Sequence, residues 1–178
     1  CMLDSLRRLQ GAGRGVAVLD EAADAAALAR LHAGGVRGLR LNIESAGVRD
    51  THAVEGPLQR WAGRLAPLGW HLQVYAAHTT IVQLAPFLST LQVPVVLDHF
   101  AMLPADAATD DPSVRCVLEL VAAGHVYVKL SASYRVVAAH AVTQAANLAH
   151  AFVQANPLRV LWGSDWPHTN REPDKAAH

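Results

Sequence analysis

Two cysteines, Cys1 and Cys116, are all that this 178-residue chain contains. They cannot build the disulfide framework that holds small secreted domains together, and reduced thiols are the ordinary state of a cytoplasmic protein. Charge of one sign is lacking too. Fifteen basic and fifteen acidic side chains cancel, so no global field draws the chain to nucleic acid or to an acidic membrane. No apolar run approaches the roughly 20 residues that span a bilayer. No basic segment followed by an apolar stretch marks a secretory signal at the start, and a first residue of Cys instead of Met reads as a processed or truncated beginning. Neither GxGxxG nor GxxxxGK[ST] occurs, which argues against a nucleotide site. GxSxG is absent, so no serine nucleophile elbow is present. Ten histidines include no HxH or HExxH pair, so no metal ligand set is assigned. His71, His78, His125, His140, His150 and His178 read as surface or structural. A lysine at a strand end, Lys129, reads as solvated and not as a carboxylated metal bridge.

What remains is a hydrophobic content of 52% against 17% charged residues, enough to bury one core, so residues 1–178 are expected to form a single domain. Short apolar runs alternate with helical stripes. Strands are predicted at 15–19, 36–42, 70–75, 93–99, 125–131 and 159–164. Between them, Asp20 or Asp24 caps a helix carrying Leu28 and Leu31 and stopped by Gly34-Gly35. Residues 43–56 read as irregular, with Pro57 opening a helix that carries Leu58, Trp61, Leu65 and Leu68. Thr79 or Thr80 caps a further helix that Pro86 is expected to break or kink. Asp111-Pro112 starts one that ends at Gly124, and a last one runs through Val142, Ala145, Ala149 and Phe152 to Asn156-Pro157. No hairpin signal separates the strands, so they should run parallel, either in an open doubly wound sheet or in part of a (β/α)8 barrel. The strand ends decide between these. Arg40 and Asn42, Gln73 and Tyr75, Asp98 and His99, Lys129 and Ser131, and Ser164 and Asp165 place polar groups at the ends of many strands, as a barrel mouth requires.

Among these, Asp165 and His99 form the pair with reactive potential. A carboxylate can take a proton from water while an imidazole polarises a carbonyl oxygen. Arg40 and Arg135 lie at or just past strand ends, where a guanidinium can grip a substrate carboxylate with two parallel hydrogen bonds. Asn42, Tyr75 and Tyr134 could orient the remaining oxygens. Each has a competing structural reading: Asp165 capping the turn before Trp166-Pro167, His99 capping a loop, Arg40 pairing with a structural acid, Tyr75 packing.

Five segments then fall in a telling order: Gly-Val-Arg-Gly-Leu-Arg-Leu-Asn (35–42), Gly-Trp-His-Leu-Gln-Val-Tyr (69–75), Val-Pro-Val-Val-Leu-Asp-His (93–99), Val-Tyr-Val-Lys-Leu-Ser (126–131) with Tyr134-Arg135, and Trp-Gly-Ser-Asp-Trp-Pro-His (162–168). Together they resemble the amidohydrolase-related family (amidohydrolase family 2), and most of all its branch containing 2-pyrone-4,6-dicarboxylate lactonase. The resemblance implies a TIM-barrel hydrolase, with about six of the eight strands present. It implies Asp165 as general base at the end of the last strand, and His99 as a carbonyl-polarising group. Arg40 and Arg135 would bind the carboxylate of a small-molecule substrate. In the lactonase branch no metal is required, whereas other branches use zinc or manganese.

The chain also departs from the family pattern. The first recognisable strand resembles the third of eight, so the strand with the HxH motif is not seen, nor is the helix after Asp165. A divalent metal would enter only with such an HxH strand. Ile43-Glu44-Ser45 follows Asn42 where a dicarboxylate lactonase would place a second arginine, and Phe100-Ala101-Met102 replaces a Gly-Arg continuation after His99. The competing expectation is therefore a non-catalytic partial barrel, self-associating through its open sheet edges.

Overall fold

The computed structural model describes residues 1–43, 51–136 and 142–168. Its six strands are β1 (Gly15–Ala17), β2 (Val36–Asn42), β3 (His71–Tyr75), β4 (Val95–Leu97), β5 (Val126–Leu130) and β6 (Val160–Trp162). They form one sheet in the order β1-β2-β3-β4-β5-β6. Every neighbouring pair is parallel. A doubly wound sheet reverses its order at a switch point; this one never does. The sheet curls into a partial barrel, and the open doubly wound alternative is overturned.

Helices cover the convex face: α2 (Ala25–Ala33), α3 (His52–Leu65), α4 (His78–Leu88), α5 (Pro112–Ala122) and α6 (Val142–Ala155) join successive strands. The pleat turns Leu39, Leu72, Val74, Val95, Leu97, Val126 and Val128 toward them, and all seven are fully buried. Against this layer pack Leu58, Trp61 and Leu65 of α3, Ile81, Leu84 and Leu88 of α4, and Val114, Val117 and Val121 of α5. Burying each such side chain stabilises the fold by about 1.5–3 kcal/mol. Gly38 is required by a close approach: a Cβ there would stand 2.4 Å from the His71 ring on the neighbouring strand.

Caps explain the helix starts. Asp24 accepts from Ala27 N at 2.7 Å, and Asp111 from Ser113 N at 2.8 Å with Pro112 at the first helical position. Three helix expectations need correction. Pro57 does not open α3, which begins at His52; Pro57 lies inside it, where it withdraws only the bond to the carbonyl of Ala53 in an early turn. Neither Thr79 nor Thr80 caps α4, which begins at His78 after Ala77 and runs through Pro86 to Leu88. A short α1 (Met2–Arg8) was not anticipated; Leu3 and Leu6 at helical spacing were its signal, and Leu6 is buried in the core. Of the stretch 43–56 expected to be irregular, residues 44–50 lie outside the described residues and 52–56 form the start of α3; His140 and His178 lie outside the described residues as well.

Candidate active site

The ends of β2 to β6 carry the polar residues, and the register brings them together. Val74 pairs with Leu97 and Leu97 with Val128, so Asp98 leaves β4 level with Lys129 of β5. Asp98 is the hub of the buried polar network. Its carboxylate is 1% exposed. It accepts from Arg40 Nε at 2.7 Å and from Lys129 Nζ at 2.7 Å. Gln73 Nε2 also donates to both oxygens at 3.0 Å. Burial alone would push the Asp98 carboxyl up, but the Lys129 ammonium and the Arg40 guanidinium outweigh it and hold the group below its ordinary value. Below this level, on the concave face, lies a groove of about 590 Å³ lined by Val16, His71, Val96, Tyr127 and Leu161, with Gln73 and Lys129 as its link to the strand ends.

Beyond the hub, the backbone turns left-handed where the candidate residues sit. His99, Phe100, Ala101 and Met102 after β4, Ala132 after β5, and Asp165 and His168 after β6 all have φ between 49° and 60°. Such conformations cost about 1–3 kcal/mol each in non-glycine residues and cluster where function needs them. They aim His99 and Asp165 at one another, with Nε2 3.9 Å from Oδ1. Asp165 Oδ2 is approached by Arg135 Nε at 3.3 Å and receives the hydroxyl proton of Tyr134 in a short hydrogen bond. Oδ1 is the oxygen turned to the imidazole.

His99 is 5% exposed. Its Nδ1 stands 2.9 Å from Ser131 Oγ, and its ring meets Tyr75 edge-on with centroids 5.5 Å apart. Burial lowers its pKa, an effect that the Asp98 and Asp165 carboxylates oppose and the Arg135 and Lys129 charges reinforce; the balance favours the neutral ring. Tyr134 also faces His168, its hydroxyl 3.4 Å from Nδ1. Burial and Asp165 push its phenol up. Burial alone would lower Arg135, but Asp165 raises it.

The structure thus brings Asp165, His99, Tyr75, Tyr134 and Arg135 into one cluster. Arg40 lies beside it, its guanidinium carbon 5.0 Å over the Tyr75 ring, but spends Nε on Asp98, so the structural pairing weighed for Arg40 is present. Asn42, at the end of β2, holds a buried Oδ1 that has no hydrogen-bond partner among the described residues. Sequence reasoning passed over Asp98, Gln73 and Ser131 as strand-end polarity and read Lys129 as solvated, whereas its ammonium pairs with the buried Asp98 carboxylate. The available signal was Val95-Val96-Leu97-Asp98, an apolar run ending in an acid just as the run before Asp165 does.

Among the described residues no three of His, Cys, Asp and Glu stand close enough to hold a metal ion, and both oxygens of Asp98 accept hydrogen bonds from protein donors. A carboxylated Lys129 would set an anion against that carboxylate; the ammonium is what the pairing requires.

Comparison with known proteins agrees with this architecture. A family model described as amidohydrolase matches residues 1–178. A 2-pyrone-4,6-dicarboxylate hydrolase of Comamonas testosteroni is 32% identical over 179 residues, covering 95% of this chain and 58% of that protein. A 4-sulfomuconolactone hydrolase of Hydrogenophaga intermedia is 30% identical, covering 94% and 55%. The crystal structure of a probable 2-pyrone-4,6-dicarboxylic acid hydrolase from Acinetobacter baumannii, with citric acid bound, superposes with a TM-score of 0.80 at 27% identity, covering 95% and 63%. The chain therefore spans somewhat over half the length of the relatives it matches.

Proposed function

The chain belongs to the amidohydrolase family, and from that premise we propose that it carries the site of a hydrolase opening a lactone or related carboxylic ester. One observation carries the reading: Asp165 Oδ1 and His99 Nε2 face each other at 3.9 Å across the ends of β6 and β4. In this reading Asp165 takes a proton from a water above the carbonyl carbon. The water oxygen bonds to that carbon, and the carbonyl electron pair moves to its oxygen, where the His99 Nε2–H meets the developing charge. Collapse breaks the ring C–O bond, and the proton held by Asp165 passes to the leaving oxygen. Arg135 and the Nη groups of Arg40 would hold a substrate carboxylate, with Tyr134, Tyr75 and Asn42 orienting other oxygens. The citrate in the Acinetobacter relative supports a small carboxylated ligand. Among the described residues no helix is long and apolar enough to cross a membrane, and the free thiols Cys1 and Cys116 fit a cytoplasmic location.

The test is hydrolysis of 2-pyrone-4,6-dicarboxylate and of mono-carboxylated lactones by the chain and by Asp165→Asn. The variant should keep its circular dichroism and lose about 10²–10⁴ in turnover. Wild-type-like turnover in Asp165→Asn overturns the assignment. A second reading, a partial barrel without turnover, draws on β1 and β6, which among the described residues each have a strand neighbour on one side only, and on Trp162, 82% exposed. It predicts no hydrolysis by the wild type and self-association in size-exclusion chromatography.

A further inference from the structure

We propose that Ser131 is a positioning residue for His99, donating its hydroxyl proton to Nδ1 and so holding the ring as the tautomer whose Nε2–H points to the site mouth. The inference deepens the hydrolase reading and rests on it for its catalytic meaning, though not for the tautomer itself.

The geometry selects the proton positions. Ser131 Oγ lies 2.9 Å from His99 Nδ1. Both residues are 5% exposed, so each nitrogen of a neutral ring needs a protein partner. A serine hydroxyl can donate or accept, and this contact alone leaves both tautomers open. The other nitrogen closes the question. Nε2 faces Asp165 Oδ1 at 3.9 Å, and a carboxylate is only an acceptor when ionised. A bare lone pair on Nε2 would be set against that anion, whereas an Nε2–H is attracted to it. Nδ1 is then the bare acceptor, and Ser131 must donate. Burial keeps the ring neutral, so the choice of tautomer matters. The remaining groups acting on the ring agree: Asp98 and Asp165 are acceptors, Arg135 and Lys129 are cations that disfavour a second ring proton, and Tyr75 meets it edge-on.

Ser131 is itself held in place by backbone. Val128 pairs with Leu97, which sets the strand ends of β4 and β5 level, and Ala132 turns left-handed directly afterwards. On the other side, a Cβ on Gly163 would press to 3.3 Å on Ser131 Cβ and on Lys129 Cδ. Glycine at 163 leaves room for the serine where β6 passes it.

The experiment has two arms. In the first, the chain is labelled with ¹⁵N-histidine, and two-bond ¹H–¹⁵N correlations are recorded without substrate at a pH where the ring is neutral. His99 is assigned by its loss in His99→Gln. The expected pattern is an unprotonated Nδ1 and a protonated Nε2, weakened in Ser131→Ala and kept in Ser131→Thr. A proton on Nδ1 in the wild type overturns the proposal, as does an unaltered pattern in Ser131→Ala; should that variant fail to fold, the wild-type spectrum decides. In the second arm, Ser131→Ala should lower kcat about tenfold, the loss of one oriented hydrogen bond, with KM changed by less than about twofold. Ser131→Thr should recover most of it. Equal losses in both variants, or a loss confined to KM, also overturn it. Full turnover in Asp165→Asn would sink the hydrolase reading while leaving the tautomer result standing, so the two failures are distinct.

Discussion

Replacing Asp98 by asparagine should be among the most destabilising isosteric changes in this chain. The carboxylate is 1% exposed and neutralises two cations, Arg40 and Lys129, whose side chains are 28% and 23% exposed. Asparagine keeps the shape but removes the charge. Its amide nitrogen must also point at one of three donors: Arg40 Nε, Lys129 Nζ or Gln73 Nε2. Removing one partner of a buried ion pair costs about 3–5 kcal/mol because the other charge is left uncompensated. The residual exposure of both cations places Asp98→Asn at the low end, about 3 kcal/mol. For a chain of this length that corresponds to a fall in Tm of roughly 6–12 °C. Urea unfolding followed by tryptophan fluorescence measures the loss directly. A second variant checks its origin. Lys129→Met in the Asp98→Asn background should restore part of the stability, with a coupling of about 0.5–3 kcal/mol. A loss below about 1 kcal/mol, the range of an exposed ion pair, would refute the view of Asp98 as the electrostatic hub of the strand ends.

Two further expectations concern pH and Asn42. Burial depresses the His99 and His71 pKa values below 6.5 in the folded chain, so the unfolded chain takes up protons first as pH falls past that value. Asp98 is held below 3.8, so its contribution is present above that pH and lost as pH falls through the folded value. Thermal melts should therefore show stability declining first below 6.5 and again in the acid range under 3.8, with His99→Gln removing part of the first decline; a flat Tm between about pH 7 and 5 would contradict this. Asn42 Oδ1 has no hydrogen-bond partner among the described residues, so Asn42→Leu should leave stability within about 1 kcal/mol or raise it. KM should rise if that oxygen meets substrate. A larger loss of stability in urea would show that the protein itself uses it.

Much of the architecture was legible in the residues because its causes are local. Alternation along 36–42, 71–75 and 126–130 marks strands whichever sheet they join, and Asp24 and Asp111 announce helix starts by their own hydrogen bonds. The absence of hairpin signals made the strands parallel. Polar strand ends favoured a barrel mouth, and sequential strand order bears that out. Proline misled where its effect depends on position: Pro57 sits inside a helix instead of opening it, and Pro86 does not break α4, because helix packing outweighs one missing bond.

The composition of the site was half legible. Asp165 and His99 announce themselves by residue type at a strand end. That they meet at all is a matter of register and of the left-handed turns that follow β4 and β6. The pairings that give each residue its character span long stretches of chain: 58 residues from Arg40 to Asp98, 31 from Asp98 to Lys129, 32 from His99 to Ser131. No local pattern encodes which acid a given arginine will find. Sequence determined the strands, their direction and the kinds of group at their ends. Only the curled sheet, by setting neighbouring strand ends level, decided that Asp98 binds the cations and that Ser131 and Asp165 take the two nitrogens of one imidazole.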